Sequence, residues 1–231
     1  MSLYGTSIPI TNKYKVDNTQ GTYLGLSRLS QALEQVRAKH TSTTFTLKFS
    51  PYLLYPEMAA GGEDKYEWYK RAKYNDSDEQ MQKYVKVMQH LGQQEQPPIT
   101  FDWHGTVAGT LQAHRIIQVW QERKGPETAR KVVDSLYSQY FQEKQHPSSR
   151  ETLLKACLAA GISQADAEEV VDDEYEGLQD VKMLIREQAG NGVDSVPTVI
   201  IEGKRRDFTL QGAKEVDEYV KTLEQVIKES N

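Results

Sequence analysis

Cysteine is almost missing. Cys157 is the only one in 231 residues, so no disulfide closes within the chain and no pair of its own thiols can exchange electrons. It lies in LLKACLAAG, an apolar stretch with helical spacing, and reads as a small core residue rather than a nucleophile. Long apolar runs are lacking too, none approaching the roughly 18 residues a membrane crossing needs. MSLYGTSIPITNKYKV has no basic start followed by an apolar block, so no secretory signal is expected and a cytoplasmic location is. Positive charge is not in excess: 28 Lys and Arg face 33 Asp and Glu, a net charge of −5. That balance argues against nucleic acid as a partner. His40, His90, His104, His114 and His146 are scattered, with no Cys or Glu beside them at ligand spacing, so no metal is expected. His114, on an apolar helical stretch, reads as packed.

What is present is helix. Leu24, Leu26, Leu29, Leu33 and Val36 recur at helical spacing behind the polar stretch DNTQGT. TSTTFTLKFSPYLL alternates at first and reads as a strand stopped at Ser50-Pro51. From Lys65 to about Gln188 six amphipathic stretches follow, the last of them ADAEEVVDDEYEGLQDVKMLIREQAG. Ser148 with Glu151 and Ser163 with Asp166 fit capping boxes, and Gly161 follows a helix end. The pattern then changes: a β-branched run Val196 to Ile201, a Glu202-Gly203 turn and a short strand near Phe208 read as a hairpin. GAKEVDEYVKTLEQVIKE closes the chain as an amphipathic helix. The order strand, helix, strand, helical block, hairpin, helix predicts an α/β sheet interrupted by helices.

Five local patterns in this order resemble the thioredoxin-fold branch of DsbA-like oxidoreductases, FrnE-like proteins, 2-hydroxychromene-2-carboxylate isomerases and kappa-class glutathione transferases. TQGTYLG, Thr19 to Gly25, stands where relatives carry CPWCYxG or SPYSxLG. FSPYLLYPEM, LQAHRII, GVDSVPTVIIEGK and FTLQGAKEVDEYV resemble further segments, GVDSVPTVIIEGK being the one in which the relatives' proline is cis. The resemblance implies a thioredoxin-like fold with a large all-helical insertion, divided as 1–62, 63–189 and 190–231, the outer parts forming the thioredoxin-like domain. The departures are as informative: Thr19 and Thr22 hold both cysteine places, and Gln20 holds that of the motif proline.

A helix N-terminus favours an anion, and hydroxyls there are not nucleophiles of that kind. Two readings of the pair stand: Thr19 and Thr22 cap the helix, or one of them, Thr19 by its alignment, donates a hydrogen bond to a thiolate borrowed from glutathione. The resemblance further implies that Val196 offers backbone groups to the cysteinyl part of glutathione, with Pro197 holding the turn. The γ-glutamyl carboxylate is expected at the amides of Gln211, Gly212 and Ala213, with Lys214 adding charge, and the glycyl carboxylate near Lys65, Lys70 or Arg71. The implied activity is a glutathione transferase acting on the activated olefin of an apolar secondary-metabolite electrophile. Tyr66, Trp68, Tyr69, Trp103 and Trp120 are expected to line its pocket. A cofactor-free isomerase or cyclase and a redox-inactive binding module are the alternatives, and a homodimer is left open. Lys204, Arg205 and Arg206 read as a solvated hairpin tip, and the acidic run Asp172 to Glu174 as a solvated face.

Overall fold

Alternating burial along Thr43–Pro51, with Phe45, Leu47 and Phe49 inward, makes this segment a strand. In the computed structural model it is β2, and it pairs in parallel with β1 (Ile8–Val16). The structure describes residues 8–17, 19–190 and 195–230; the start of the segment GVDSVPTVIIEGK lies outside them. The helix α1 (Gln20–Lys39) connects β1 to β2. Between β2 and β5 come β3 (Glu63–Asp64), α2 (Lys65–Tyr74), α3 (Asp78–Gln94), β4 (Thr106–Val107), α4 (Leu111–Lys124), α5 (Pro126–Phe141), α6 (Arg150–Ala159), α7 (Gln164–Asp172) and α8 (Leu178–Gly190). The hairpin β5 (Thr198–Glu202) and β6 (Asp207–Gln211) and the helix α9 (Val216–Ser230) follow. The sheet order β2-β1-β5-β6, with β5 antiparallel to both neighbours, is that of the thioredoxin fold interrupted by helices.

Among the described residues no further strand pairs with the outer edge of β2, and side chains of α4 meet it at Phe49. Gln121 of α4 takes the Phe49 N–H at 2.8 Å, and Gln118 and Gln121 both donate to the Phe49 carbonyl at 3.0 Å. The Phe49 backbone groups on this otherwise open sheet edge are thereby satisfied. On the opposite helical layer α1 packs on α9. Buried Arg28 links them, donating to Glu95 at 2.7 Å and to Glu215 at 2.6 Å.

Several local expectations shift by a few residues. Ser163 caps α7 through the Asp166 N–H as its box predicts, but α6 is capped by Ser149, whose hydroxyl takes the Thr152 N–H at 3.2 Å, and not by Ser148. The last amphipathic stretch of the insertion is two helices. Arg115, fully buried, gathers the carbonyls of Val170, Val171 and Glu176 at their junction, where Gly177 turns with φ +69°. A long-range cation holding helix-terminal carbonyls is invisible to periodicity.

Cys157 is buried and receives the Trp120 indole N–H at 3.2 Å; burial pushes its thiol up to about 11. The native protein is therefore expected to leave Ellman's reagent unreacted at pH 8, with one equivalent appearing only in denaturant. Fast native labelling would refute this core assignment.

Candidate functional site

Three chain segments meet at the start of α1. Thr19 caps the helix: its Oγ1 accepts the Thr22 N–H at 3.2 Å, and its carbonyl accepts from Thr22 and Tyr23. The two threonine hydroxyls lie 2.6 Å apart. Thr22 is fully buried and Thr19 only half-buried, so of the pair only Thr19 can meet a ligand. If Thr22 donates to Thr19, the Thr19 oxygen accepts twice and its own proton points away from the helix. Capping and ligand donation are then compatible. The Gln20 and Gly21 amides have no acceptor among the described residues, as the first amides of a helix ordinarily do not.

The second segment is Val196-Pro197, joined by a cis peptide bond. Pro197 is buried against α1, with its Cδ 3.8 Å from where a Cβ on Gly21 would stand and its Cγ 2.9 Å from one on Gly25. Val196 is half-exposed, and no backbone hydrogen bond engages it among the described residues. The third is the turn after β6: Ala213 Cα lies 3.5 Å from the same Gly25 position, and the Gly212 N–H donates to the Pro197 carbonyl at 2.8 Å. Tyr14 of β1 completes the junction by donating to the Thr22 carbonyl at 2.6 Å.

The structure thus brings Thr19, Thr22, Pro197, Gly212 and Ala213 together. It revises the carboxylate seats. The Gly212 amide is already bonded, Gln211 ends β6, and α9 begins only at Val216 with Asp217 and Glu218 in its first turn, which disfavours an anion there. Lys214 remains a half-exposed cation, 3.2 Å from Glu218. Lys65 is removed from the candidates. Its side chain is fully buried, and Nζ donates to the Asp102 and Tyr140 carbonyls at 3.1 and 2.9 Å, over the Tyr140 ring. Arg71 pairs with Glu63 at 2.6 Å on the exposed surface, and Lys70 with Glu67 and Asp78. Burial lowers Lys65 to about 8, Asp102 and Asp64 opposing the shift. The folded value lies below the unfolded one, so between about pH 8 and the ordinary lysine range of about 10.4 the unfolded chain binds more protons. Stability relative to a Lys65→Met variant is expected to rise across that window. Parallel urea midpoints at several pH values check it.

Other residues came from outside the expected set. Asp17, two residues before the cap, is buried; its carboxylate takes the Leu54 N–H at 2.7 Å and the Thr110 hydroxyl at 3.0 Å, with His114 Nε2 at 3.8 Å. Thr110 therefore spends its hydroxyl on Asp17 and not on capping α4. Gln20, in the place of the motif proline, is buried and accepts from the hydroxyls of Tyr69 at 3.3 Å and Tyr84 at 3.5 Å. Trp103 packs on both of these rings, and Trp68 on Tyr69 and Tyr55. Trp120 lies apart from this cluster, on Cys157, and Tyr66 accepts from Gln82. A polar residue at a family proline position was the available signal for Gln20. Among the described residues, no group of three or more His, Cys, Asp or Glu side chains could hold a metal ion, and no helix is long and apolar enough to cross a membrane.

A family model described as a DSBA-like thioredoxin domain matches residues 22–224. The chain belongs to this family. A search of curated protein sequences finds no match for this DsbA-like chain. Among solved structures it is similar to a probable DsbA oxidoreductase from Streptomyces coelicolor, with a TM-score of 0.81 at 19% identity over 96% of this chain and 92% of the other. A 2-hydroxychromene-2-carboxylate isomerase follows at 0.61 and 14%, over 95% of each chain. The cytosolic disulfide reductase DsbM from Pseudomonas aeruginosa, solved with GSH, gives 0.59 at 16%, over 94% of this chain and 99% of the other. At such identities these likenesses establish the DsbA-like fold. Disulfide exchange by a motif cysteine pair is not open to this chain, whose lone thiol is buried.

Proposed function

We propose that this DsbA-like protein is a glutathione transferase that activates glutathione at the start of α1 and adds it to the activated olefin of an apolar secondary-metabolite substrate. The observation that carries the reading is a half-exposed Thr19 hydroxyl at the N-terminus of a helix whose Gly21 and Gly25 face the cis Val196-Pro197 turn, where the family keeps a reactive group. The GSH held by the DsbM structure lends it support. Unpaired amides and the Thr19 O–H favour a thiolate over a thiol. The Asp17 carboxylate behind them is offset by its Leu54 and Thr110 donors. Val196 offers backbone groups to the cysteinyl part of glutathione, and Lys214 the remaining charge for a carboxylate.

The balance of the reaction is simple. Glutathione loses its thiol proton, the thiolate forms a carbon–sulfur bond at the β-carbon, and the α-carbon takes a proton. For isomerisation, the former double bond rotates as a single bond; loss of the α-proton and expulsion of the thiolate then regenerate the olefin and glutathione. The 2-hydroxychromene-2-carboxylate isomerase neighbour favours this second outcome, and the trans-to-cis isomerising transferase of fungal pseurotin biosynthesis is the type of chemistry meant. Retention on immobilised glutathione, competed by free glutathione, is expected. So is an adduct or isomer formed from a simple Michael acceptor faster than without protein. Absence of both would overturn the reading, and co-purification with a protein partner instead would favour a binding module.

A further inference from the structure

A cavity of about 20 Å³ opens beside α1, lined among others by Asp17, Tyr55, Met58, Tyr69, Thr110 and Tyr140. That is room for about one water or one ligand oxygen. Its mouth is half-exposed at Tyr55 and Met58, while Asp17, Thr110 and Tyr140 at its floor are buried. The Tyr140 hydroxyl is fully buried and has no hydrogen-bond partner among the described residues. Such a group calls for a ligand atom or an ordered water.

We infer that this cavity is an oxygen subsite that selects acceptors carrying a hydroxyl group, their apolar body lying between Tyr55 and Met58. The chemistry of the lining decides the class. Thr110 gives its proton to Asp17, and Tyr69 gives its own to Gln20, which leaves Tyr140 at the buried floor and Tyr55 at the mouth as the tyrosine donors of the lining. Asp17 is an acceptor, and a carboxylate oxygen can accept more than one bond. A ligand oxygen lodged between Tyr140 and Asp17 must therefore accept from one and donate to the other. A hydroxyl does both, whereas a carbonyl or methoxy oxygen meets Asp17 with no proton to give. Burial, Asp17 and Tyr55 all raise the Tyr140 phenol, which keeps it a donor throughout the working range. The subsite lies next to the proposed thiolate seat, since Asp17 also accepts the Thr19 N–H at 2.9 Å through its carbonyl. The inference rests on the reading above for its chemistry, but not for its binding.

The test uses the full chain without glutathione, titrated calorimetrically with 1-naphthol, 1-methoxynaphthalene and naphthalene. The wild type is expected to bind 1-naphthol about tenfold more tightly than the other two, as one added hydrogen bond provides. Tyr140→Phe removes only a hydroxyl without a partner, so it is expected to melt no earlier than wild type while losing the preference. Equal affinities in the wild type, a preference that survives in Tyr140→Phe, or no binding of any probe would overturn the subsite. Ultraviolet thiolate absorbance of glutathione added to the same wild-type sample reports separately on conjugation. Hydroxyl-selective binding without thiolate would sink that reading and leave the subsite standing.

Discussion

Thr19→Ala is expected to raise the pKa of glutathione bound to this protein by about one to two units and to slow conjugation at neutral pH by roughly 10- to 100-fold. A hydrogen bond to a charged group contributes about 1.5–3 kcal/mol, and each unit corresponds to ~1.36 kcal/mol. The same substitution removes a helix cap worth about 1 kcal/mol, because Thr19 Oγ1 holds the Thr22 N–H. The two losses separate by choice of variant. Thr19→Ser keeps both acceptor and proton, and is expected to behave like the wild type. Thr19→Asp keeps the cap, and its charge suits a helix N-terminus, but it has no proton to donate and repels a thiolate. Thermal melting of Thr19→Asp should therefore match or exceed the wild type, while its glutathione titration shifts upward at least as far as that of Thr19→Ala. If Thr19→Asp titrated bound glutathione like the wild type, the hydroxyl would be a cap and nothing more.

The elements of this fold were legible because burial imposes period: the strand β2 alternates, and α1 and α9 carry apolar stripes. The site was legible only where it follows local order along the chain. Local order marked only a helix start at Thr19 and a strand start at Pro197; it was the resemblance to the family's motif and cis-proline segments that named them as site candidates. Lys65 could not be judged, because it opens α2 like any solvated lysine and only the carbonyls of Asp102 and Tyr140 turn it inward. The start of α9 misled for a related reason: Gly212 looks like a helix-opening glycine, but its amide belongs to Pro197. The subsite beneath Asp17 had no sequence signal at all. Asp17, Thr110 and Tyr140 come from β1's end, α4's cap and α5, and no spacing relates them.

Gly25→Ala and Gly21→Ala are expected to change stability in opposite directions, though both add one methyl to the same helix. On propensity alone alanine gains about 1 kcal/mol over glycine in a helix interior. At Gly21 the nearest atom to an added Cβ is Pro197 Cδ at 3.8 Å, an ordinary contact, so part of that gain should appear as a higher melting temperature. At Gly25 the added Cβ stands 2.7 Å from the Tyr14 hydroxyl and 2.9 Å from Pro197 Cγ. Neither neighbour yields cheaply. The Tyr14 hydroxyl is fixed on the Thr22 carbonyl and buried, and Pro197 is held by its carbonyl to Gly212. Overpacking of this kind costs about 1–3 kcal/mol, enough to outweigh the propensity gain. The strain falls where α1, the cis turn and the Gly212-Ala213 turn meet, so glutathione affinity should fall with stability in Gly25→Ala and hold in Gly21→Ala. Calorimetric titration of both variants decides the point. A Gly25→Ala protein that binds glutathione as tightly as the wild type would mean that the ligand does not depend on the register between Thr19 and Pro197.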